Sequence, residues 1–298
     1  MPIGAGALDH AEETNDDPHP RRARPPRKGG IGSGLSGRII VAVPAALIAV
    51  FFIIQGRNDP EWLAAFVLAI GVLALHEFYT LTHEWGPARF AGFLTLAGLI
   101  AAGTWGGQFQ LVLAIVIAFP VAFFVALAVG RHTQTTAGLA VTLFGAFWIG
   151  IPLAHAVLLE RLPHGEMIII NILLGTFIGD TAAYGAGKMF GRHPLAPRLS
   201  PNKTQEGLVA GIVVAIATVW FAGLYQDWLS GPNALLLGLA IALAAPVGDL
   251  FESMVKRDIG VKDTGKAFGA HGGALDRADA ALFTIVVGYY VWYSMAVF

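Results

Sequence analysis

The 298-residue chain contains no cysteine. It can therefore form no disulfide framework, hold no metal through a thiolate and use no cysteine nucleophile. Charge is scarce as well: 13% of residues are Asp, Glu, Lys or Arg, against about 25% in soluble domains. Together with 55% hydrophobic residues, that shortfall excludes an ordinary soluble globular protein. There is no HExxH, no Cys–His set and no P-loop, so zinc-protease and P-loop ATPase chemistry lack their usual support. No repeat period of a soluble solenoid is evident. The net charge of −1 carries little, because the placement of charge matters more than its sum.

What the chain does have is a series of apolar runs near membrane-spanning length, recurring from residue 39 to the C-terminus. They predict an all-α, polytopic integral membrane protein with nine transmembrane helices. Their expected bounds are 39–56, 61–82, 89–106, 109–130, 136–160, 166–190, 206–226, 233–256 and 280–298. Many of the 37 glycines fall inside these spans, which favours close helix packing. Residues 1–38 differ: rich in Pro, Gly and charge, they are expected to be a disordered cytoplasmic tail. Its acidic part (Asp9 to Asp17) precedes a basic part (Arg21, Arg22, Arg24, Arg27, Lys28). A secretory signal fits poorly, because the first apolar segment starts only near Arg38 and lacks a small-residue cleavage site. The remainder divides into N-terminal transmembrane helices, 39–160, and a C-terminal transmembrane catalytic region, 161–298.

Orientation follows from Lys and Arg. With the N-terminus in the cytoplasm, 17 of the 19 basic residues fall on that side, leaving only Arg57 and Arg161 outside. Merging two segments within 89–130 would give eight spans and move both strongly basic C-terminal loops to the outer side, opposite the basic N-terminal tail. Nine spans avoid this.

Ionisable residues cost several kcal/mol at the bilayer centre, so those at a membrane border are functional candidates. The densest group runs from Gly248 to Asp279, GDLFESMVKRDIGVKDTGKAFGAHGGALDRAD. Asp249, Glu252, Ser253 and Lys256 share one helical face by 3/4 spacing, although a salt-bridged helix end would look similar. Lys256, Arg257, Lys262 and Lys266 make a basic loop that positive-inside charge alone would explain. His271 precedes Gly272 and Gly273, whose missing side chains allow close backbone approach to a ligand. Asp276, Arg277 and Asp279 open the last helix, where the macrodipole favours carboxylates in any case.

Two upstream features join this group. Asp180 lies inside an apolar segment, on one helical face with Tyr184 and Lys188; the plain alternative is a helix ending there. The following loop, APRLSPNKTQEG, contains Pro197 and Pro201, and Ser200 or Asn202 is expected to start the next helix with Glu206 in its first turn. Arg198 and Lys203 project from that turn, where helix N–H groups favour phosphate; an ordinary capped turn is the alternative. Asp249 and Asp276 supply hard oxygen ligands of the kind Mg²⁺ prefers.

These residues resemble the phosphatidate cytidylyltransferase (CDP-diacylglycerol synthase) family. The long element runs Ser253, Lys256-Arg257, Lys262-Asp263, Gly265, Phe268-Gly269, His271-Gly272-Gly273, Asp276-Arg277 and Asp279. A second block comprises Gly179-Asp180-Thr181, Tyr184, Gly187, Ser200 to Thr204 and Glu206-Gly207. Departures are confined to Gly269-Ala270, where Pro-Gly is common, and to Ala274 and Ala278, where larger apolar residues are usual. The first half resembles the family only in being multi-spanning.

The resemblance implies the reaction of CTP with phosphatidate to give CDP-diacylglycerol and pyrophosphate. It implies Mg²⁺ on Asp249 and Asp276, with a second cation such as K⁺. Lys203, Lys256, Arg257, Lys262 and Arg277 would clamp phosphates, and Asp180, Asp263 and Asp279 would act as further ligands or orienters. Tyr184, Ser200, Asn202, Ser253, His271, Gly272 and Gly273 would contact or position substrate. The implied partners are CTP, phosphatidate and the bilayer, with no nucleic acid; a homodimer is compatible, and the active site would face the cytoplasm. Other CTP-using lipid enzymes, such as a polyprenol kinase or an archaeal-type lipid cytidylyltransferase, are the nearest alternatives. The CDP-alcohol phosphotransferase pattern is absent. An ion-coupled transporter also uses intramembrane carboxylates, but no inverted repeat is apparent.

Overall fold

The computed structural model of the chain describes residues 35–130, 135–265 and 272–297. Most of the expected N-terminal tail, as well as Lys266 and His271, lie outside the described residues. The described residues form nine α-helices and one small hairpin. The helices are α1 (Leu35–Gly56), α2 (Pro60–Leu81), α3 (Arg89–Trp105), α4 (Gln108–Ala128), α5 (Thr135–Glu160), α6 (Gly165–Phe190), α7 (Gln205–Gly223), α8 (Gly231–Asp258) and α9 (Leu275–Val297). Among them α2, α4, α5, α6, α7 and α8 are long and apolar enough to cross a membrane, and α3 and the second part of α1 are shorter apolar helices. The chain is an integral membrane protein with a nearly all-helical fold.

Local chemistry sets the helix starts. Asp59 caps α2 by accepting the Glu61 N–H at 3.0 Å, with Pro60 as the first helical residue. Ser230 does the same for α8 through the Asn233 N–H at 3.4 Å. One apolar core includes residues from Ile53 in α1 to Trp292 in α9, so α2, α3 and α5 from the first half pack with α6, α8 and α9 from the second. Some polar groups within the bundle meet in pairs, which lowers the cost of burial. Asn171 and Gln226 exchange hydrogen bonds of 2.8 and 3.2 Å, and Thr176 meets Thr284 at 3.0 Å.

Two sequence expectations need correction. No helix begins at Ser200 or Asn202; instead β1 (Pro194–Ala196) and β2 (Ser200–Thr204) pair antiparallel, and Thr204 caps α7 by accepting the Gly207 N–H at 3.1 Å. Pro201 is the physical reason, because proline pushes the preceding residue, Ser200, away from the helical region into extended backbone. Glu206 in the first turn of α7 closes the hairpin base, accepting the backbone N–H of Arg192 at 3.1 Å and meeting His193 Nδ1 at 2.6 Å. Also, the last span, expected at 280–298, extends back to Leu275, which keeps Asp276, Arg277 and Asp279 at the opening of α9 as the sequence predicts. Hydropathy marks where apolar residues begin, whereas helix geometry tolerates acids in the first turn and even favours them.

At Gly248 helices α8 and α9 pack closely. A Cβ there would fall 2.6 Å from the Asp279 carbonyl oxygen and 3.1 Å from the Ala280 Cα. Gly248→Ala should therefore lower the melting temperature of the detergent-solubilised protein by the equivalent of about 1–3 kcal/mol of overpacking. Helix propensity alone would raise stability by about 1 kcal/mol, so a stabilised variant would refute the close contact.

Candidate active site

Four elements deliver the site. The 3/4 spacing on α8 puts Asp249, Glu252 and Lys256 on one face, and the first turns of α9 present Asp276 and Asp279 towards them. Helix α6 adds Asp180, and β2 adds Lys203, whose extended backbone carries the ammonium back over α8.

Lys203 Nζ donates to Asp249 Oδ2. Lys256 Nζ bridges the two helices, donating to Glu252 Oε2 at 2.5 Å and to Asp276 Oδ1 at 2.9 Å. The Asp279 carboxyl group makes side-chain contacts with both Asp249 and Glu252, and Asp180 stands within electrostatic range of Asp249 and Lys203. Five carboxyl groups thus gather around two ammonium groups. Such an excess repels unless protons or a further cation lie among the acids. Glu252 is almost fully buried, yet its Oε1 accepts no hydrogen bond among the described residues. Lys256 is itself largely buried, so its pairing with two acids is strong compared with a surface salt bridge.

Asp276 has a second task. Its Oδ2 accepts the Gly273 N–H at 2.7 Å and the Thr264 N–H at 3.0 Å, the latter shared with Oδ1 at 3.2 Å. Reaching back from the first turn, it satisfies backbone donors before the helix begins, as the acidic residue of a capping box does. Gly272 has φ of +86° beside it, and a Cβ there would come within 2.7 Å of Asp276 Oδ2. Here glycine is needed for the left-handed turn and for the carboxylate's approach.

The other candidates form a rim or stand apart. Arg257 is exposed and ties α8 to the hairpin by donating from Nε to the Leu199 carbonyl at 3.2 Å. Lys262, Asp263, Arg277 and Asn202 are exposed, while Ser200 and Ser253 are half-buried. Tyr184 is 70% exposed and does not join the cluster, although its spacing from Asp180 suggests a common face. Gly273 is buried, and what approaches it so closely is protein, the carboxylate of Glu77. His271 lies outside the described residues.

Two further acids reach this region. The sequence places Glu252 on the Asp249 face but gives it no role of its own, and it does not single out Glu77. Glu77 is the only carboxylate in the interior of α2, and the membrane cost of charge could have singled it out as it did Asp180.

Interleaved acids and ammonium groups within an apolar helical bundle form one dense charge cluster. Among known families, the cytidylyltransferase family matches residues 36–295, and the chain belongs to that family of nucleotidyl-transferring enzymes. The chain is 30% identical to a phosphatidate cytidylyltransferase of Staphylococcus epidermidis, over 83% of the chain and 95% of that protein. A phosphatidate cytidylyltransferase of Mycobacterium leprae is 37% identical over 50% of the chain and 47% of its own length. The uncharacterized protein YnbB of Escherichia coli K12 is 34% identical over 78% of the chain and 80% of that protein.

Lys203→Ala should leave a folded protein whose kcat/KM for nucleotidyl transfer falls by about 100-fold, the usual scale for losing one preorganised charge at a reacting phosphate. Tyr184→Phe, on the exposed face, should stay within about twofold of the wild-type value. A steady-state assay of both variants checks the assignment, and equal losses would contradict it.

Proposed function

We propose that this chain is a phosphatidate cytidylyltransferase, forming CDP-diacylglycerol and pyrophosphate from CTP and phosphatidate. The observation that carries the reading is the pair of ion-paired groups, Lys203–Asp249 and Glu252–Lys256–Asp276, linked through Asp279 across β2, α8 and α9. In the reaction a phosphate oxygen of phosphatidate attacks the α-phosphorus of CTP. The new P–O bond forms as the α–β phosphoanhydride bond breaks, and the electron pair leaves with pyrophosphate. The nucleophile is already an oxyanion, so neither a covalent enzyme intermediate nor a strong base is required. What the protein must supply is positioning of two anions and neutralisation of their charge.

Lys203 sits on the hairpin above Asp249, where it can follow a phosphate without losing its carboxylate partner. Lys256 holds Glu252 and Asp276 together and becomes available to phosphate when Asp276 takes another partner. Arg257, Lys262 and Arg277 at the rim draw the triphosphate inward, with Arg suited to bidentate contacts.

The acids fit a hard divalent cation: carboxylate oxygens in excess over ammonium groups, and a buried Glu252 oxygen that accepts no hydrogen bond among the described residues. Mg²⁺ usually takes one or two protein carboxylates and completes its shell with water and phosphate. Asp249 and Asp276 would hold it, with Asp279 and Asp180 in support and K⁺ as a second cation. When bound, Mg²⁺ supplies neutralisation of the triphosphate and stabilisation of the leaving oxygen. In the membrane, nine spans with the N-terminus and the charge cluster on the cytoplasmic side account for the distribution of basic residues. A homodimer is compatible with this arrangement.

Labelled CTP, phosphatidate and Mg²⁺ incubated with the solubilised protein should yield labelled lipid. Asp249→Ala and Asp276→Ala should each lower labelling by at least about 100-fold while the protein still inserts. Near-normal turnover of both variants would remove the metal assignment. Failure of the wild-type chain to label phosphatidate, or label entering a polyprenol instead, would overturn the reaction. Chelation with EDTA should abolish labelling, and added Mg²⁺ should restore it.

A further inference from the structure

The first half of the chain contributes one carboxylate to the loop that carries Asp276. Glu77 lies in the fifth turn of α2, is 8% exposed and sits beneath the segment that leads into α9. Its Oε2 accepts the Leu275 N–H at 3.2 Å. Leu275 is the first residue of α9, and N–H groups in the first turn of a helix have no partner within the helix. A buried carboxylate fills that need and gains from the positive end of the helix dipole.

Two glycines admit it. A Cβ on Gly265 would fall 2.3 Å from Glu77 Oε1, with its three nearest atoms all belonging to Glu77. A Cβ on Gly273 would fall 2.3 Å from Glu77 Oε2. The same two backbone segments grip Asp276 through N–H groups: Thr264, next to Gly265, and Gly273 both donate to its carboxylate. Two short stretches of backbone are thus held between two carboxylates, Glu77 beneath and Asp276 at the site. Burying a carboxylate in an apolar bundle is costly, and a Leu or Met would fill the volume without that cost. Glu77 Oε1 also accepts no hydrogen bond among the described residues, so a purely structural role uses only part of the group.

We propose that Glu77 is a positioning residue of the active site, setting the loop at 264–265 and 273–275 so that Asp276 meets Lys256. The inference rests on the cytidylyltransferase reading for its catalytic consequence, but the contact itself does not depend on it. It gives the N-terminal helices a part in the chemistry beyond membrane anchoring.

The test uses the full chain in detergent, with Glu77→Ala, Glu77→Gln, Gly265→Ala and the double variant Glu77→Ala/Gly265→Ala. Thermal unfolding reads the contact. Gly265→Ala alone should lower the melting temperature, whereas in the Glu77→Ala background it should cost nothing further, because the obstructing atoms are gone. Additive losses would overturn the contact. CTP turnover under Mg²⁺ titration reads the positioning. Glu77→Ala should lower kcat and raise the Mg²⁺ concentration for half-activation by about 10- to 100-fold, while KM for phosphatidate stays within about threefold. Glu77→Gln retains an acceptor for the Leu275 N–H and should recover most of that loss. A folded Glu77→Ala enzyme with wild-type kcat and Mg²⁺ dependence would overturn the positioning role, and so would a Gln variant no better than Ala. If the wild-type chain labels no lipid, the reaction falls instead, and the stability cycle still decides whether Glu77 holds the loop.

Discussion

The site depends on the ammonium group of Lys256 held between Glu252 of its own helix and Asp276 of the next. Helices α8 and α9 each bring carboxylates to the same border, and without a cation between them these would push the helices apart. Coulomb energy at a contact near 3 Å is several kcal/mol at the effective dielectric of a protein border, enough to outweigh the cost of ordering a lysine side chain. Gly248 lets the two backbones close to the distance at which the bridge forms. Packing and charge here are one design: the small residue sets the separation, and the ion pairs make that separation tolerable.

A membrane protein meets a particular constraint in such a cluster. Charges are expensive in lipid, so they are kept at helix ends, paired, and joined to backbone N–H groups that have no helical partner. Asp276 shows all three features, as a first-turn residue that holds Lys256, Thr264 and Gly273. Asp249 shows the pairing through Lys203, which arrives from a hairpin rather than from a helix. Acids remain in excess over ammonium groups in this cluster, five carboxyl groups to two lysines.

Much of this was legible in the residues. Helical periodicity and apolar length marked nine helices, each close to one found in the fold, because backbone hydrogen bonds in lipid must be satisfied within the segment. The cost of intramembrane charge marked Asp180, Asp249 and Asp276, and all three take part in the cluster. Less legible were the hairpin at 194–204 and the bound of the last span. In the first, an X-Pro restriction outweighed a capping pattern; in the second, a helix began ahead of its apolar stretch. Tyr184 illustrates the limit of spacing: it is four residues from Asp180 on one helical face, yet it is exposed one turn further along α6.

The amino-acid sequence by itself determined the class of the molecule, its helices and the family of its signature residues, since these follow from local composition, periodicity and motif spacing. Only the tertiary structure decided which charges meet. Lys203 and Asp249 are 46 residues apart and Glu77 and Leu275 are 198 apart, and no local rule connects them. Such partners are chosen by how helices pack, where a glycine admits a carboxylate and a neighbouring side chain does not. Burial then makes the choice matter, because in a low-dielectric interior a polar group without its partner costs more than most single contacts contribute.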